Sequence, residues 1–519
     1  MLKIRDIVIF LLLFAVCLPA LYSQRGRGRD SVAQQRLYFR ADSLALSQLE
    51  NYGLTRPAAN GKVPASDYPA LAERLVTRME NDGYPFAAVS LSPLTEPDSN
   101  GVVSTFTVDA GPLVRYDSVI VKGTLKLRPR FVQAFLNWRP RRKYVERNAA
   151  RIAQKMNGLP YATVTREPGV EFVGDKAYLY LFADKQKVNR FDGYLGLVPV
   201  SERTGKVMLT GEVNLMLQNV FKIGETLELR WQAPERRSQY LLANADFPYW
   251  FGTPFGLSGH FVLDKKDTSY LNMNYRIALT YSFLGSNALR LYFDYTTSSI
   301  LRPELVTAVE GDTLSYDFRK PMYGISLNYS RLDDAIQPRS GVRLNVDVAA
   351  GSRRILPNTA VDAEVYEGLV LRTTHYRLQG EVAGFVPIRK RWGWVAGVSG
   401  GMSLGNQQIY NDLFRIGGTR TLQGFDEMSL YASSYLIAMT EFRFWFARYS
   451  YLNVFFNGAW YERKLSGGYY YDYPFGFGLG ATFHTKAGNF YISYALGQQK
   501  NNPVSFKTGK IHFGMDVRF

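Results

Sequence analysis

A single cysteine, Cys17, occurs in 519 residues. One thiol cannot form an internal disulfide, so no covalent bridge is expected in this fold. Histidine is nearly as scarce, and His260, His375, His484 and His512 show no metal-ligand spacing. No metal site and no cofactor are therefore expected. Phosphate-loop strings are missing, which removes the common nucleotide-driven engines. Long apolar runs are missing from the body of the chain, and the mean hydropathy is −0.17. That excludes a bundle of membrane-spanning helices. Negative charge is in deficit, giving a formal net charge of +17. Yet no basic helix, RNP-like strand or zinc-finger spacing accompanies it, so no nucleic-acid partner is expected. Anionic lipid headgroups or acidic substrates account for the surplus equally well, and a diffuse excess of arginine over a barrel surface is the reading preferred.

What the chain does have is 14% aromatic residues and 45 glycines, a mixture that suits a large β protein. The one apolar run, 7–18, follows Lys3 and Arg5 and precedes Pro19, Ala20 and Ser23. It is too short to span a bilayer, so 1–23 reads as an export peptide. Cys17 lies within it. A lipoprotein signal is the weaker reading, because Val16 stands where a small residue is wanted.

Residues 24–112 begin with a basic leader, Arg25, Arg27 and Arg29 between glycines. The pattern then predicts a helix over 35–54 and a second over 68–79. In the second, Leu71, Leu75, Val76 and Met79 share one stripe behind the caps Ser66 and Asp67. A break and two strands follow, the later one VVSTFTVDAGPLV. Residues 113–187 repeat the theme more completely, with a strand over 116–122, helices over 128–136 and 144–156, and strands over 162–172 and 177–183.

From 188 to 519 period two dominates. Ile511, Phe513, Met515, Val517 and Phe519 alternate with Lys510, His512, Gly514, Asp516 and Arg518; Leu289, Leu291, Phe293 and Tyr295 alternate with Arg290, Tyr292 and Asp294. One face is apolar and the other polar. In a soluble sandwich such apolar faces meet each other, whereas in a membrane barrel they face lipid. The export peptide, the aromatic load and the terminal Phe519 favour the barrel. The pattern places sixteen strands, beginning near 190, 207, 224, 239, 254, 270, 288, 320, 341, 370, 391, 435, 450, 474, 488 and 510. Every second connection is short, and the long stretches 299–319 and 404–434 fall at the opposite end.

One long connection is built unlike a solvent loop. The segment DLFRIGGTRTLQGFDEMSLYAS, 412–433, combines Gly417, Gly418 and Gly424 with the donors Arg415, Arg420 and Gln423. It resembles the inward-folded sixth loop of the Omp85 superfamily. Ile416, Gly417 and Gly418 match the family's lead-in, and Leu422, Gln423, Gly424 and Phe425 match its Val/Leu-Arg-Gly-Phe/Tyr motif, with Gln423 departing from the usual Arg. Thr440, Glu441, Phe442 and Arg443 match the family's twelfth strand, and 453–458 match the next, with Asn457 where the family often has Asp. The order of elements in 113–187 resembles a POTRA domain, as do Asp82, Gly83, Tyr84 and Pro85, and Ala110, Gly111 and Pro112.

The resemblance implies POTRA units of β-α-α-β-β order, the first of them atypical, followed by an all-β antiparallel transmembrane barrel with loop 404–434 folded inside. It implies residence in the outer membrane of a Gram-negative bacterium, with the POTRA units in the periplasm. Partners would be unfolded outer-membrane β-barrel proteins, membrane lipids and accessory proteins. Glu441, Arg443 and Asn457 become the expected luminal partners of the loop, with Glu441 a charged acceptor for Arg420 or Arg443, and Gln423 with Asn457 either an amide pair in place of an ion pair or two unrelated luminal polar residues. Gly193, Gly196 and Pro199 in the first strand and Gly514 in the last weaken pairing where sheet ends meet. With Phe519 they mark a lateral gate in the resemblance-based reading, or merely relieve curvature. The function expected first is assembly of outer-membrane proteins in the manner of the BamA and TamA branches. A two-partner secretion pore is second and a plain porin or receptor barrel third.

Two catalytic strings do not stand. Gly397 to Gly401 spells G-x-S-x-G, but Ser399 lies within a strand pattern with no helix after it. Lys507, Thr508 and Gly509 spell K-T-G without an S-x-x-K partner. No enzymatic activity is expected.

Overall fold

The computed structural model describes residues 37–55, 61–95, 102–199, 207–233, 237–283, 287–303, 314–334, 337–418, 421–465, 468–485, 488–500, 502–506 and 509–518. The expected export peptide, the basic leader, Arg420 and Phe519 lie outside the described residues. The chain divides into two compact units: one takes in residues up to Met79 together with Phe86–Gly111, and the other Glu80–Pro85 with Pro112–Phe519.

The first unit is a four-stranded sheet with two helices. β1 (Tyr38–Ala41) leads into the helix Ser43–Asn51, then β2 (Lys62–Pro64), the helix Tyr68–Glu80, β3 (Ala88–Leu91) and β4 (Val102–Asp109). Their order across the sheet is β2-β1-β4-β3, with β1 parallel to β4. The helix expected over 35–54 starts as a strand instead. The switch comes at Asp42, whose carboxylate accepts the Ala45 N–H at 2.6 Å and caps the helix. Ala45 and Leu49 of that helix and Leu71, Leu75 and Met79 of the next are buried, as are Val63, Phe106 and Val108 of the sheet.

In the second unit, β5 (Arg115–Lys122) is followed by the helices Pro129–Leu136, Glu146–Ala150 and Ile152–Asn157, then β6 (Ala162–Val173) and β7 (Lys176–Lys185). The helix expected over 144–156 is interrupted at Arg151. The strand order β5-β7-β6, with β5 parallel to β7, is that of β1-β4-β3 without the extra edge strand. Tyr116, Trp138 and Tyr144 form an aromatic centre beneath it, with ring centroids 4.2 to 6.2 Å apart.

The remainder is one antiparallel sheet. Its strands are β8 (Arg190–Pro199), β9 (Val207–Gln218), β10 (Thr226–Ala233), β11 (Gln239–Phe247), β12 (Phe255–Lys266), β13 (Tyr270–Phe283), β14 (Asn287–Ile300), β15 (Phe318–Leu332), β16 (Gly341–Ile355), β17 (Arg372–Arg389) and β18 (Trp392–Leu404). A small hairpin, β19 (Phe414–Ile416) and β20 (Leu430–Ala432), interrupts it. The sheet resumes with β21 (Ser434–Ala447), β22 (Ser450–Leu465), β23 (Gly468–Asp472), β24 (Phe475–Thr485), β25 (Gly488–Gln498) and β26 (Lys510–Arg518). β23 and β24 both pair with β22 and act as one strand broken at Pro474, so sixteen lanes result. The order returns on itself from β26 to β8, the connectivity of a barrel. Strand starts fall within two residues of the sequence-based ones, the widest gaps being 226 against 224, 318 against 320 and 372 against 370. The fourteenth differs, starting at Gly468 and breaking where Pro474 cannot donate to the ladder.

Alternation sets the two faces. On β13, Tyr275, Ile277, Leu279 and Tyr281 are 42 to 63% exposed, while Ala278 and Thr280 between them are buried. The same outward row continues through Leu289, Leu291 and Phe293 on β14 and Tyr323 and Ile325 on β15. These apolar residues therefore point away from the interior rather than into a shared core.

One end of the sheet carries short turns and meets the 113–187 region. In the turn after β9, the buried Glu225 carboxylate accepts the N–H groups of Phe221 and Ile223 at 2.5 and 3.2 Å, and Lys222 accepts the Arg128 N–H at 2.8 Å. A Cβ on Gly224, at φ +77°, would sit 2.5 Å from the Phe131 ring. The turn after β11 adds Tyr249, edge-on to both Phe131 and Phe135. The helix Pro129–Leu136 is thus seated on two consecutive turns.

Candidate functional site: the inward loop and the strand seam

The loop between β18 and β21 is held at three places. First, its descending limb is tied by charge. Asp412 pairs with Lys320 of β15 and, at 3.2 Å, with Arg353 of β16. All three side chains are at most 5% exposed. Next to it, Asn411 donates to Ser298 Oγ at 2.7 Å and to the Tyr316 carbonyl at 2.9 Å, and its own carbonyl accepts from Asn272 at 2.8 Å. Second, the β19–β20 hairpin places Arg415 against both carboxylate oxygens of Asp264 on β12, at 3.1 and 3.0 Å. The third hold is the tip.

There, Thr421 closes a tight turn by accepting the Gly417 N–H at 2.8 Å and donating to the Gly417 carbonyl at 2.9 Å. Leu422 is fully buried and joins Phe414, Ile416, Phe425, Ile437 and Tyr461 in one apolar cluster. Asn457 of β22 accepts the Gln423 N–H at 3.0 Å and donates to the Gln423 carbonyl at 3.1 Å and the Gly476 carbonyl at 3.2 Å. Gly424 lies at φ +99°, where an added Cβ would come 2.7 Å from the Leu496 carbonyl of β25. The limb is fastened to β12 through β16 and the tip to β22, β24 and β25. Three strands separate these groups one way round the sheet and five the other, so the loop crosses the interior.

Sequence reasoning brought Leu422, Gln423, Phe425 and Asn457 together, but the bonding differs from the amide pair expected. Asn457 holds the backbone of residue 423, and the Gln423 side-chain oxygen is buried with no hydrogen-bond partner. Backbone recognition leaves the side chain at 423 free to vary, which is a physical reason that Gln can stand there. Glu441 and Arg443 face the interior and pair with each other at 2.9 Å, one of the two partners expected for Glu441, the other being Arg420, which lies outside the described residues. Asp412, Lys320, Arg353, Asp264 and Asn411 were not found from sequence. Their partners are 59 to 151 residues away, and only the inward phase of each strand marks them.

Two substitutions probe the tip. Asn457→Leu strands three buried backbone groups and should cost about 2–4 kcal/mol. Gly424→Ala should cost about 2 kcal/mol through its positive φ and the Leu496 contact. Gln423→Ala should leave stability near that of the parent. Loss of the compact, heat-modifiable form on gels at rising temperature measures all three.

At the seam, β26 meets β8 through two pairs among the described residues, Val517↔Phe191 and Arg518↔Arg190. β13 and β14 share fourteen. Gly193, Gly196 and Pro199 pair with Val213, Thr210 and Val207 of β9, and Gly514 with Tyr491 of β25. None of them pairs across the seam, and among the described residues Gly193 to Pro199 take no ladder partner in β26. An ion pair of Lys510 with Asp426, at 2.7 Å, joins the start of β26 to the loop just beyond Phe425.

Residues 219–519, more than half of the chain, match the Omp85 superfamily domain. The chain belongs to the Omp85 superfamily. Members of the superfamily are outer-membrane proteins of Gram-negative bacteria. Among solved structures, CdiB from Acinetobacter baumannii is similar at 11% identity and a TM-score of 0.58, covering 99% of this chain and 97% of that one. CdiB from Escherichia coli is similar at 14% identity and a TM-score of 0.56, covering 96% and 93%. BamA from Haemophilus ducreyi lacking POTRA domains 1-3 aligns at 16% identity with a TM-score of 0.45, covering 93% and 99%. The search of curated proteins gave no match. The matched region takes in both the inward loop between β18 and β21 and the β26 edge of the seam.

Proposed function

We propose that this Omp85 protein assembles other β-barrel proteins into the outer membrane. In this reading, the outward apolar rows face hydrocarbon and the two α+β units are POTRA domains standing in the periplasm. An unfolded client first adds a strand to the open edge of a POTRA sheet, where β6 pairs on one side alone. It then enters lipid through the β26–β8 seam. Backbone groups left unpaired in lipid are costly, so a client strand must be paired as it enters. An unzipped edge supplies the partners. No catalytic step is needed, because the free energy is already held in the unfolded client and the bilayer.

The observation that carries this reading is the two-pair join between β26 and β8. Depletion of the protein, followed by quantification of the outer-membrane proteome, tests it. Loss of several β-barrel proteins is expected. A second reading, a two-partner secretion pore, draws support from a cavity of about 610 Å³ beside the loop, whose lining includes the charged residues Arg276, Arg290, Asp347 and Glu381. Loss of one secreted protein with an unchanged barrel complement would favour that pore and contradict assembly.

A further inference from the structure

Three arginines sit side by side on the outer face of the sheet. Arg319 of β15 lies directly opposite Arg354 of β16, and Arg354 directly opposite Arg372 of β17. All three are exposed. Their sequence neighbours Lys320, Arg353 and Thr373 are buried on the other face. The luminal cations thus hold the loop, and the outer row plays no part in it. Neighbouring strands are about 4.8 Å apart, so the three Cα atoms span roughly 10 Å. Like charges placed directly opposite one another destabilise a sheet. Among the described residues no carboxylate forms an ion pair with any of them.

The position of the row defines what could neutralise it. Along the same outward columns come Tyr323 and Tyr376, 69 and 54% exposed, and then Ile325, Val348 and Leu378. Aromatic residues over aliphatic ones mark the border between headgroups and hydrocarbon in a membrane barrel. The arginines lie two outward positions beyond that border, past Pro321, Ser352 and Thr374, at the end of the sheet away from the turns that meet the 113–187 region. Guanidinium groups at this spacing suit phosphate oxygens, which they can bind in bidentate fashion.

We propose that Arg319, Arg354 and Arg372 form a docking site for the phosphate groups of an outer-leaflet saccharolipid of the lipid A type. The site rests on the reading above, that the outward rows face lipid and the long loops face the cell exterior. Docked there, the lipid would neutralise the row and fix the outer leaflet against β15–β17, far from the seam and on the wall that anchors Asp412.

The full-length protein, reconstituted in detergent micelles and studied by native mass spectrometry, tests the assignment with four probes: bisphosphorylated lipid A, its dephosphorylated form, phosphatidylglycerol and inorganic phosphate. The expected result is retention of bisphosphorylated lipid A by the parent. Arg319→Gln, Arg354→Gln and Arg372→Gln together should weaken it by about a hundredfold, and the corresponding Lys triple should fall between the two, keeping the charge but not the bidentate fork. Unchanged binding by the Gln triple overturns the proposal. So does equal retention of the dephosphorylated lipid, preference for phosphatidylglycerol, or displacement by equimolar inorganic phosphate. Heat-modifiability of the parent and both triples reports folding separately. Failure of the parent to insert into preformed liposomes would contradict the bilayer reading itself, whatever the lipid result.

Discussion

With Phe191→Cys and Val517→Cys introduced together, oxidation is expected to stop client insertion, and a reductant is expected to restore it. These residues face each other at the seam, within the separation that a disulfide bridges between opposed strands. The only native cysteine is Cys17, so no thiol from the sheet competes. If client strands enter between β26 and β8, the bridge closes the one poorly paired join in the ladder. Oxidised protein should then behave as depleted protein does when newly inserted barrel proteins are counted. The matching bridge between Ile277 and Phe293, opposed residues of β13 and β14, should have no effect, because fourteen pairs already fix those strands. An oxidised seam that still supports insertion would mean that clients do not pass there.

The second large effect concerns the loop's electrostatic anchor. Replacing Asp412 by Ala leaves Lys320 and Arg353 buried together without their counter-ion, which should cost about 3–5 kcal/mol. Arg353 would keep its bond to the Gln407 carbonyl but lose the charge that offsets its burial. Removing the charges together is different. Lys320→Met, Arg353→Met and Asp412→Leu in one chain should come close to the parent's stability, since well-packed apolar groups often replace a buried ion cluster without loss. Urea midpoints of the heat-modifiable form measure both. Equal midpoints for the parent and Asp412→Ala would show that this cluster does not hold the loop.

Much of this architecture was legible because one pattern dominates it. Outward residues are apolar along most of each strand, so period two alone located strand starts to within two residues along most of the sheet. The exception at Gly468 has a local cause: tyrosines 469, 470 and 471 on β23 blur the alternation, and Pro474 reads as a strand start when it is a break. In the first unit, the 35–54 stretch carries a helical stripe, but only its later part is helix. β1 is fixed by its parallel partner β4, some sixty residues on, and no local signal reports that pairing.

The loop was legible in part for a similar reason. Gly417 and Gly424 adopt positive φ, and glycine marks such positions in any sequence. Charge pairing gave no such signal. Arg415 looks like any surface arginine until β12 brings Asp264 to it, and the polar interior supplies many carboxylates it could have met. Gly193, Gly196 and Pro199 lie on β8, along an edge that β26 does not pair with among the described residues. Strand composition indicated weakness there; the register that sets where pairing stops could not be read from composition.

A photo-crosslinking side chain in place of Phe513, which is 68% exposed on β26, tests the central claim most directly. The same probe belongs at Ile277, 63% exposed on the far wall, and at Gln379, which lines the interior cavity. Passage of clients through the seam predicts adducts with newly made β-barrel proteins at 513 and none at 277. Adducts confined to 379, or absent from 513, would contradict it.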